Sequence, residues 1–466
     1  MSKRLDGSGL VWPAVLERFE RHAPAGVMAR VALEHALPAG WVDEVFEAHR
    51  QRQYARELLF STVVELTTLV SLGLRPSLHA AARQMPSLPV SLASLYDKVN
   101  HTEPAILRAL VRGGAERLAP VLAALDCPAS LPGWRLRVLD GNHLPASEKR
   151  LAPLRGLRGA ALPGQSLVVY DGDSGLVVDM VACEDAHASE RAAMAPLLDS
   201  ARPGELWIAD RHFCTGVILG GWQQAGAGFV VREHGRHPRL VKQGEWHACG
   251  RVATGRVREQ VVEIEGQPVA WRRIELALDV PTEDGETTIR LWSNLPGEVA
   301  AGRIAELYRT RWRIEELFGR LESMLHSEVT SLGHPRAALL GFTVALLAYN
   351  VLALLGRCVE QAHAPSPEPN KPPLEVSTFH LALQIKSSYE GLLIAVPPEH
   401  WPSWQQADPV RLAERLLTLA RRINPNQVAT SKRKPKPKTP KGYVDGKTAR
   451  AHVATARILA QAGITP

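Results

Sequence analysis

The chain has 466 residues, 45% of them hydrophobic and 22% charged, which excludes a disordered protein and points to a globular one of roughly two to four domains. Its net charge of +7 equals the excess of a single segment, 431–450, so the remaining residues are neutral together and the chain is not uniformly basic. The five cysteines (Cys127, Cys183, Cys214, Cys249 and Cys358) contain no Cys-x-x-Cys pair, and their odd number argues against a disulfide framework; with no apolar signal core in residues 1–10, a reducing cytoplasm is the expected compartment.

Residues 1 to about 130 read as helical, with a dense apolar pattern at 57–74. Segments 77–83 and 91–99 are two short helices around a turn-rich 85–89, either a helix-turn-helix or an ordinary helical hairpin. After Pro132-Gly133 the texture changes. WRLRVLD (134–140) alternates and ends on Asp140, and SLVVYD and GLVVDMVA flank a turn at 171–175 as a β-hairpin. A helix at 189–198, a short strand ELWIAD ending on Asp210, a helix at about 215–225 and a strand at 228–232 complete a mixed α/β layer. Residues 233–294 are β-rich, with turns at Glu265-Gly266 and Glu283-Asp284-Gly285, and read as a small β-subdomain inserted into the α/β domain.

A long helix is expected from Val299 to about Leu325. Residues 337–356 have the length and apolarity of a membrane span, but Thr343, Tyr349 and Asn350 interrupt them. Nothing else in the chain looks membranous, so a helix buried on all sides is expected. A Pro-rich linker (363–374) and a helical segment (376–423) follow. In the basic tail, Lys432, Arg433, Lys434, Lys436, Lys438, Lys441, Lys447 and Arg450 are opposed only by Asp445, and Pro435, Pro437 and Pro440 forbid a helix. Such a polycation suits DNA phosphates; a solubilising tail is the alternative.

The chemistry is carried by acids. Asp140 and Asp210 each end an apolar strand, where open sheets bind ligands, although strand-ending aspartates are also common turn formers. The third acid is on the helix YRTRWRIEELF (308–318). At about 100° per residue, Tyr308, Arg311, Glu315 and Glu322 share a stripe about 60° wide, while Leu307, Ile314, Leu317, Phe318, Leu321 and Leu325 form the adjoining face to be buried. Glu316, the rival to Glu315, points away. Three carboxylates suffice for two magnesium or manganese ions, which take oxygen ligands and promote phosphodiester exchange; Arg311 suits a phosphate.

These residues resemble a known family. Tyr308-x-x-Arg311-x-x-x-Glu315 is similar to the tyrosine–arginine–glutamate–lysine signature of DDE transposases of the insertion-sequence-four group. The likeness extends to Leu139-Asp-Gly-Asn-His143, Ala161-Leu-Pro-Gly164, Val168-Val-Tyr-Asp171, Trp207-Ile-Ala-Asp-Arg211 and Ser293-Asn-Leu-Pro296, over about residues 130–360. The resemblance implies a ribonuclease-H-like α/β fold with a β-subdomain inserted between the second and third acids. It implies Asp140, Asp210 and Glu315 as the metal-binding catalytic triad, with Tyr308 and Arg311 holding phosphate at the transposon end. The signature's lysine falls on Glu322, an acid that does not do a lysine's work on a phosphate, and Arg320 lies off the stripe. The expected activity is metal-dependent cleavage and strand transfer at insertion-sequence ends. The expected partners are double-stranded DNA and a second copy of the chain as a homodimer on DNA, with no membrane. A catalytically impaired DNA-binding relative and a plain metal-dependent nuclease are the alternatives.

The expected organisation is a helical DNA-binding region at 1–130 and a catalytic domain at 131–232 and 295–362, interrupted by the β-subdomain at 233–294. A helical C-terminal region (363–425) and the basic tail (426–466) complete it. His143 and His212, close to the two aspartates, are either metal ligands or orienting neighbours. Arg150, Arg155 and Arg158 are either DNA contacts or ordinary surface arginines. Trp271 and Trp292 are either stacking platforms for a flipped base or core residues.

Overall fold

The computed structural model describes residues 8–54, 57–85, 88–125, 127–148, 151–282, 285–364, 374–430 and 452–464. The N-terminal region is helical throughout: α1 (Ser8–His22), α2 (Pro24–Ala36), α3 (Ala39–His49), α4 (Phe60–Ser71), α5 (Leu78–Arg83), α6 (Leu92–Asn100) and α7 (Pro104–Ala123). Ser77 and Ser91 cap α5 and α6 by accepting the Ala80 and Ser94 amides.

The α/β layer then alternates strands and short helices. Its elements are β1 (Arg135–His143), β2 (Ala160–Leu162), β3 (Gln165–Tyr170), β4 (Val177–Cys183), α8 (Ala195–Ser200), β5 (Glu205–Ala209), α9 (Gly216–Gln224) and β6 (Gly228–Arg232). The β-rich segment supplies β7 (Leu240–Gln243), β8 (His247–Val252), β9 (Gly255–Ile264), β10 (Trp271–Leu278) and β11 (Thr288–Ser293). The rest is helical: α10 (Ala301–Arg309), α11 (Trp312–Met324), α12 (Pro335–Ala362), α13 (Thr378–Ala395), α14 (Pro409–Ala420) and α15 (Pro425–Val428), until β12 (His452–Ala454) and α16 (Thr455–Gln461) close the chain.

One sheet runs β4-β3-β1-β5-β6-β11-β10-β9-β7, with β8 paired to β9. β1, β5 and β6 are parallel, and β3 is antiparallel to β1. This mixed layer with helices is consistent with the ribonuclease-H-like domain expected. The β-rich segment is joined to it edge to edge: Leu291, Trp292 and Ser293 of β11 pair with Arg232, Val231 and Val230 of β6. The sheet separates two cores. Leu136, Val138, Leu206 and Ile208 face the core shared with α10–α12, and Leu139, Val169, Trp207 and Ala209 face the one built with α9. That alternation is the period-2 rule of a strand.

Helix α12 buries 22 of its 28 residues and packs against α2, α4, α7 and α14. Its length and apolarity are those of a membrane span, but its surroundings are protein. Asn350, an interruption in its apolar run, explains itself: its amide accepts the Val177 N–H at 2.7 Å and donates to the Val177 carbonyl at 2.8 Å, completing the edge of β4.

Four local expectations differ from the structure. β1 does not end at Asp140 but continues to His143, because Asp140, Gly141, Asn142 and His143 pair with β3. The helix expected at 189–198 forms in two pieces, a 3-10 turn Glu190–Met194 and then α8 from Ala195. The long helix is broken between α10 and α11. There the amides of Thr310, Arg311, Arg313 and Ile314 all bond three residues back, and the Thr310 hydroxyl donates to the Leu307 carbonyl at 2.7 Å. Finally, residues 452–464, expected as part of the basic tail, are docked: β12 lies parallel to β2, Arg457 pairs with Asp185 at 2.5 Å, and Ile458 packs with Leu154 and Ala161. The basic residues Lys432, Arg433 and Lys434, and Arg150, lie outside the described residues.

Candidate active site

The parallel pairing of β1 and β5 sets the first two acids. Its register runs from Arg135↔Glu205 to Val138↔Ile208, and the same offset carried two residues further brings Asp140 level with Asp210. Both have the parity of Leu136, Val138, Leu206 and Ile208, so both face the side of α10–α12. Asp210 follows β5 and opens the turn Arg211–Phe213, accepting the His212 amide at 2.5 Å. Asp140 accepts its neighbour Gly141's amide at 2.9 Å.

The break between α10 and α11 brings the third acid's helix to them. A 3-10 step turns about 120° per residue, so residues three apart eclipse. Tyr308 and Arg311 share a hydrogen bond, and the Arg311 guanidinium lies over the Trp312 ring, 5.2 Å from its centre. Arg311 then reaches between two acids, with Nη1 3.2 Å from Asp140 Oδ2 and Nη2 2.8 Å from Glu315 Oε1. The guanidinium is 12% exposed, and its Nε is buried without a hydrogen-bond partner. Tyr308 is 7% exposed, and burial pushes its hydroxyl up to about 12.

The stripe read from the sequence therefore runs from inside to outside: Tyr308 and Arg311 are withdrawn, Glu315 is 39% exposed in its side chain, and Glu322 is exposed. Among the described residues Glu322 makes no ion pair; its neighbour in charge is Glu328, which it helps to push above the usual carboxylate range, second to burial. Glu316 turns away and meets Arg320 at 3.4 Å.

Asp140 has Arg311 as its cation and two further acids, Asp210 and Glu315, near it. Burial, aided by the like charges of Asp210 and Glu315, pushes Asp140 up to about 6, against the pull of Arg311 and the Gly141 amide. As the side chains stand, no three His, Cys, Asp or Glu groups among the described residues converge on one ion position. The donor set nevertheless fits a hard divalent cation: it is all carboxylate oxygen, it is crowded with negative charge, and a guanidinium already stands between two of its members.

The other sequence candidates separate. His143 is exposed, and His212 turns to Glu190 at 3.5 Å. Arg155 and Arg158 are exposed. Trp271 and Trp292 are 0% and 1% exposed and belong to the core, so neither offers a face to a base. Glu190 was not singled out from the sequence, although its carboxylate lies over Gly141, the residue after Asp140. A glycine inside a strand marks such a close approach, and that was the available signal.

Residues 137–351 match a family model described as the transposase DDE domain. The match takes in Asp140, Asp210, Tyr308, Arg311 and Glu315 and covers a little under half of the chain. It supports a DDE transposase, a DNA-cutting enzyme of transposition. No curated protein matches the chain.

Proposed function

We propose that this chain is an insertion-sequence transposase that cuts and joins DNA, with Asp140, Asp210 and Glu315 as its metal-binding triad. The observation that carries the reading is the seating of Arg311 between Asp140 and Glu315, with Asp210 placed beside Asp140 where the β1–β5 register is extrapolated two residues on. Two magnesium or manganese ions held by these carboxylates would activate the attacking oxygen and stabilise the leaving one.

The chain's own residues do the rest. Arg311 is the counter-ion of Asp140 and Glu315 in the DNA-free protein, and it exchanges them for a phosphate at the transposon end. Its unpartnered Nε leaves a donor for that exchange. Tyr308, hydrogen-bonded to it, limits the directions the guanidinium takes. The helical N-terminal region recognises the inverted-repeat ends, and Lys432, Arg433 and Lys434 bind phosphates without regard to sequence. The enzyme acts as a homodimer on double-stranded DNA, in the bacterial cytoplasm at the nucleoid.

A second reading, an impaired relative that binds DNA without cutting it, is favoured by Glu322, an exposed acid beside Glu328 where the resembling family carries a lysine. Incubating the protein with the inverted repeats that flank its gene and magnesium tests both. Strand transfer supports the transposase. Degradation without joining means a plain nuclease, and binding alone means the impaired relative.

A further inference from the structure

The backbone ladder stops short of the acids it is meant to align. β1 and β5 are paired only as far as Val138↔Ile208, two residues before Asp140 and Asp210. Beyond that point β1 is held on its other side, by β3, and β5 has ended. The spacing of the two carboxylates therefore needs another constraint.

The turn Glu190–Met194 supplies contacts to both strand ends. The Glu190 carboxylate lies directly over Gly141, so that a Cβ built there would meet Glu190 Cδ at 2.5 Å and clash harder with Oε1. The same carboxylate reaches His212 Nε2 at 3.5 Å, two residues past Asp210. Beside it, Arg191 Nε donates to the His212 carbonyl at 2.5 Å. The His212 amide in turn donates to Asp210, so the loop that Arg191 holds is the loop that orients the second acid.

We infer that Glu190 is a positioning residue, a strut that fixes the Asp210 loop against β1 at Gly141 and so holds the two metal-binding aspartates at working distance. It acts from the opposite face of the strand, since the parity of residue 141 is that of Leu139, and so it touches neither substrate nor ion. Gly141 is required because any side chain would lift the carboxylate off its seat. The inference rests on the proposal that Asp140, Asp210 and Glu315 bind metal.

The test is Mn2+ affinity of the full-length, DNA-free protein, measured by titration with electron paramagnetic resonance, beside melting temperature in EDTA. Residues that orient metal ligands typically cost about 10- to 100-fold in affinity when removed. Glu190→Ala is expected to weaken Mn2+ binding by about that factor, with little change in melting temperature, and Gly141→Ala to weaken it too. In the double variant the methyl has no carboxylate to displace, so its affinity should equal that of Glu190→Ala alone. Losses that multiply would overturn the strut, as would a loss matched by loss of folded protein in EDTA. Asp140→Asn distinguishes the levels: parent-like binding by this variant overturns the metal reading and the strut with it. Parent-like binding by Glu190→Ala beside a dead Asp140→Asn overturns the strut alone.

Discussion

Glu275 in β10 and Asp140 in β1 are both withdrawn from solvent on strands of the same sheet, and their neighbours differ. Glu275 is 5% exposed and has two arginines to itself, Arg258 Nε at 2.7 Å and Arg290 Nε at 2.8 Å. Burial pushes its carboxyl up, but the hydrogen bonds from Arg290 and Arg258 outweigh it and hold it below the usual range. Asp140 shares one arginine with Glu315, lies near Asp210, and is pushed up to about 6. In the β-rich extension the pairing continues: Glu259 has Arg272, and Glu233 has Arg273. Where acids and arginines match, the charge network is structural, completed within the chain. Where acids exceed cations under burial, the balance is left for a ligand to complete.

The largest way to break this comparison is at the acids themselves. If Asp140, Asp210 and Glu315 hold the ions as proposed, Asp140→Asn, Asp210→Asn and Glu315→Gln should each lower cleavage by on the order of 10³-fold or more, since metal ions supply several kcal/mol of transition-state stabilisation. DNA binding should remain, and a filter-binding assay beside a cleavage assay checks both. Near-parent cleavage by any one variant removes that residue from the triad.

Proton competition sharpens the contrast. A metal ligand must be deprotonated, so with Asp140 near 6, Mn2+ affinity should fall about tenfold per unit below that pH. Isothermal titration from pH 7.5 to 5 checks this. A flat profile across that range is incompatible with Asp140 as a ligand.

Stability should move in opposite directions at the two acids. A carboxyl raised in the fold contributes stability that is complete below its ordinary value and is lost as pH rises through the folded one. For Asp140 that window runs from 3.8 to about 6, so at pH 7.5 its ionised form costs stability. Asp140→Asn should therefore stabilise the protein in EDTA by about 1–2 kcal/mol at pH 7.5. Glu275→Gln should destabilise it by about 1–2 kcal/mol, a figure kept small because Arg258 and Arg290 are 49% and 48% exposed. Urea melts of the two variants decide it, and equal signs would end the comparison.

Smaller effects are expected at the periphery. Because 452–464 is docked, charge replacement is a cleaner probe than deletion. Changing Lys432, Arg433 and Lys434 to Gln should weaken DNA binding roughly fivefold for any sequence and reduce the salt slope by up to about 3. An unchanged slope means that the segment serves solubility. Smallest is Glu322→Lys. Replacing an exposed acid beside Glu328 with a cation should raise end binding and cleavage by about two- to threefold, within the range of an exposed charge contact. No gain in either would show that another basic residue already holds the end phosphate.

Short-range patterns were legible because local physics writes them. The alternation in 134–140 and the apolar run 205–209 mark two strands, and the 3.6-residue period around 314–325 separates a buried face from Arg311 and Glu315. The apolar run of α12 and its burial also follow from composition. What the sequence left undecided depends on partners distant along the chain. Gly141, Asn142 and His143 lie beyond the strand as read from the sequence, which ends on Asp140, yet β3 extends β1 through them, because a hydrogen-bonded edge recruits polar residues that no periodicity announces. The helix wheel assumes unbroken 3.6-residue turns and so does not show the 3-10 step at Thr310 that separates the two helices. The seating of Arg311 between Asp140 and Glu315, the joining of β11 to β6, and the Glu190 contacts to Gly141 and His212 are all non-local. Sequence alone singled out Asp140, Asp210, Tyr308, Arg311 and Glu315, all within the stretch that matches the transposase DDE domain. The tertiary structure decided how they are spaced and what neutralises them, because distances and charge balance are set by pairing between strands and helices far apart in the chain.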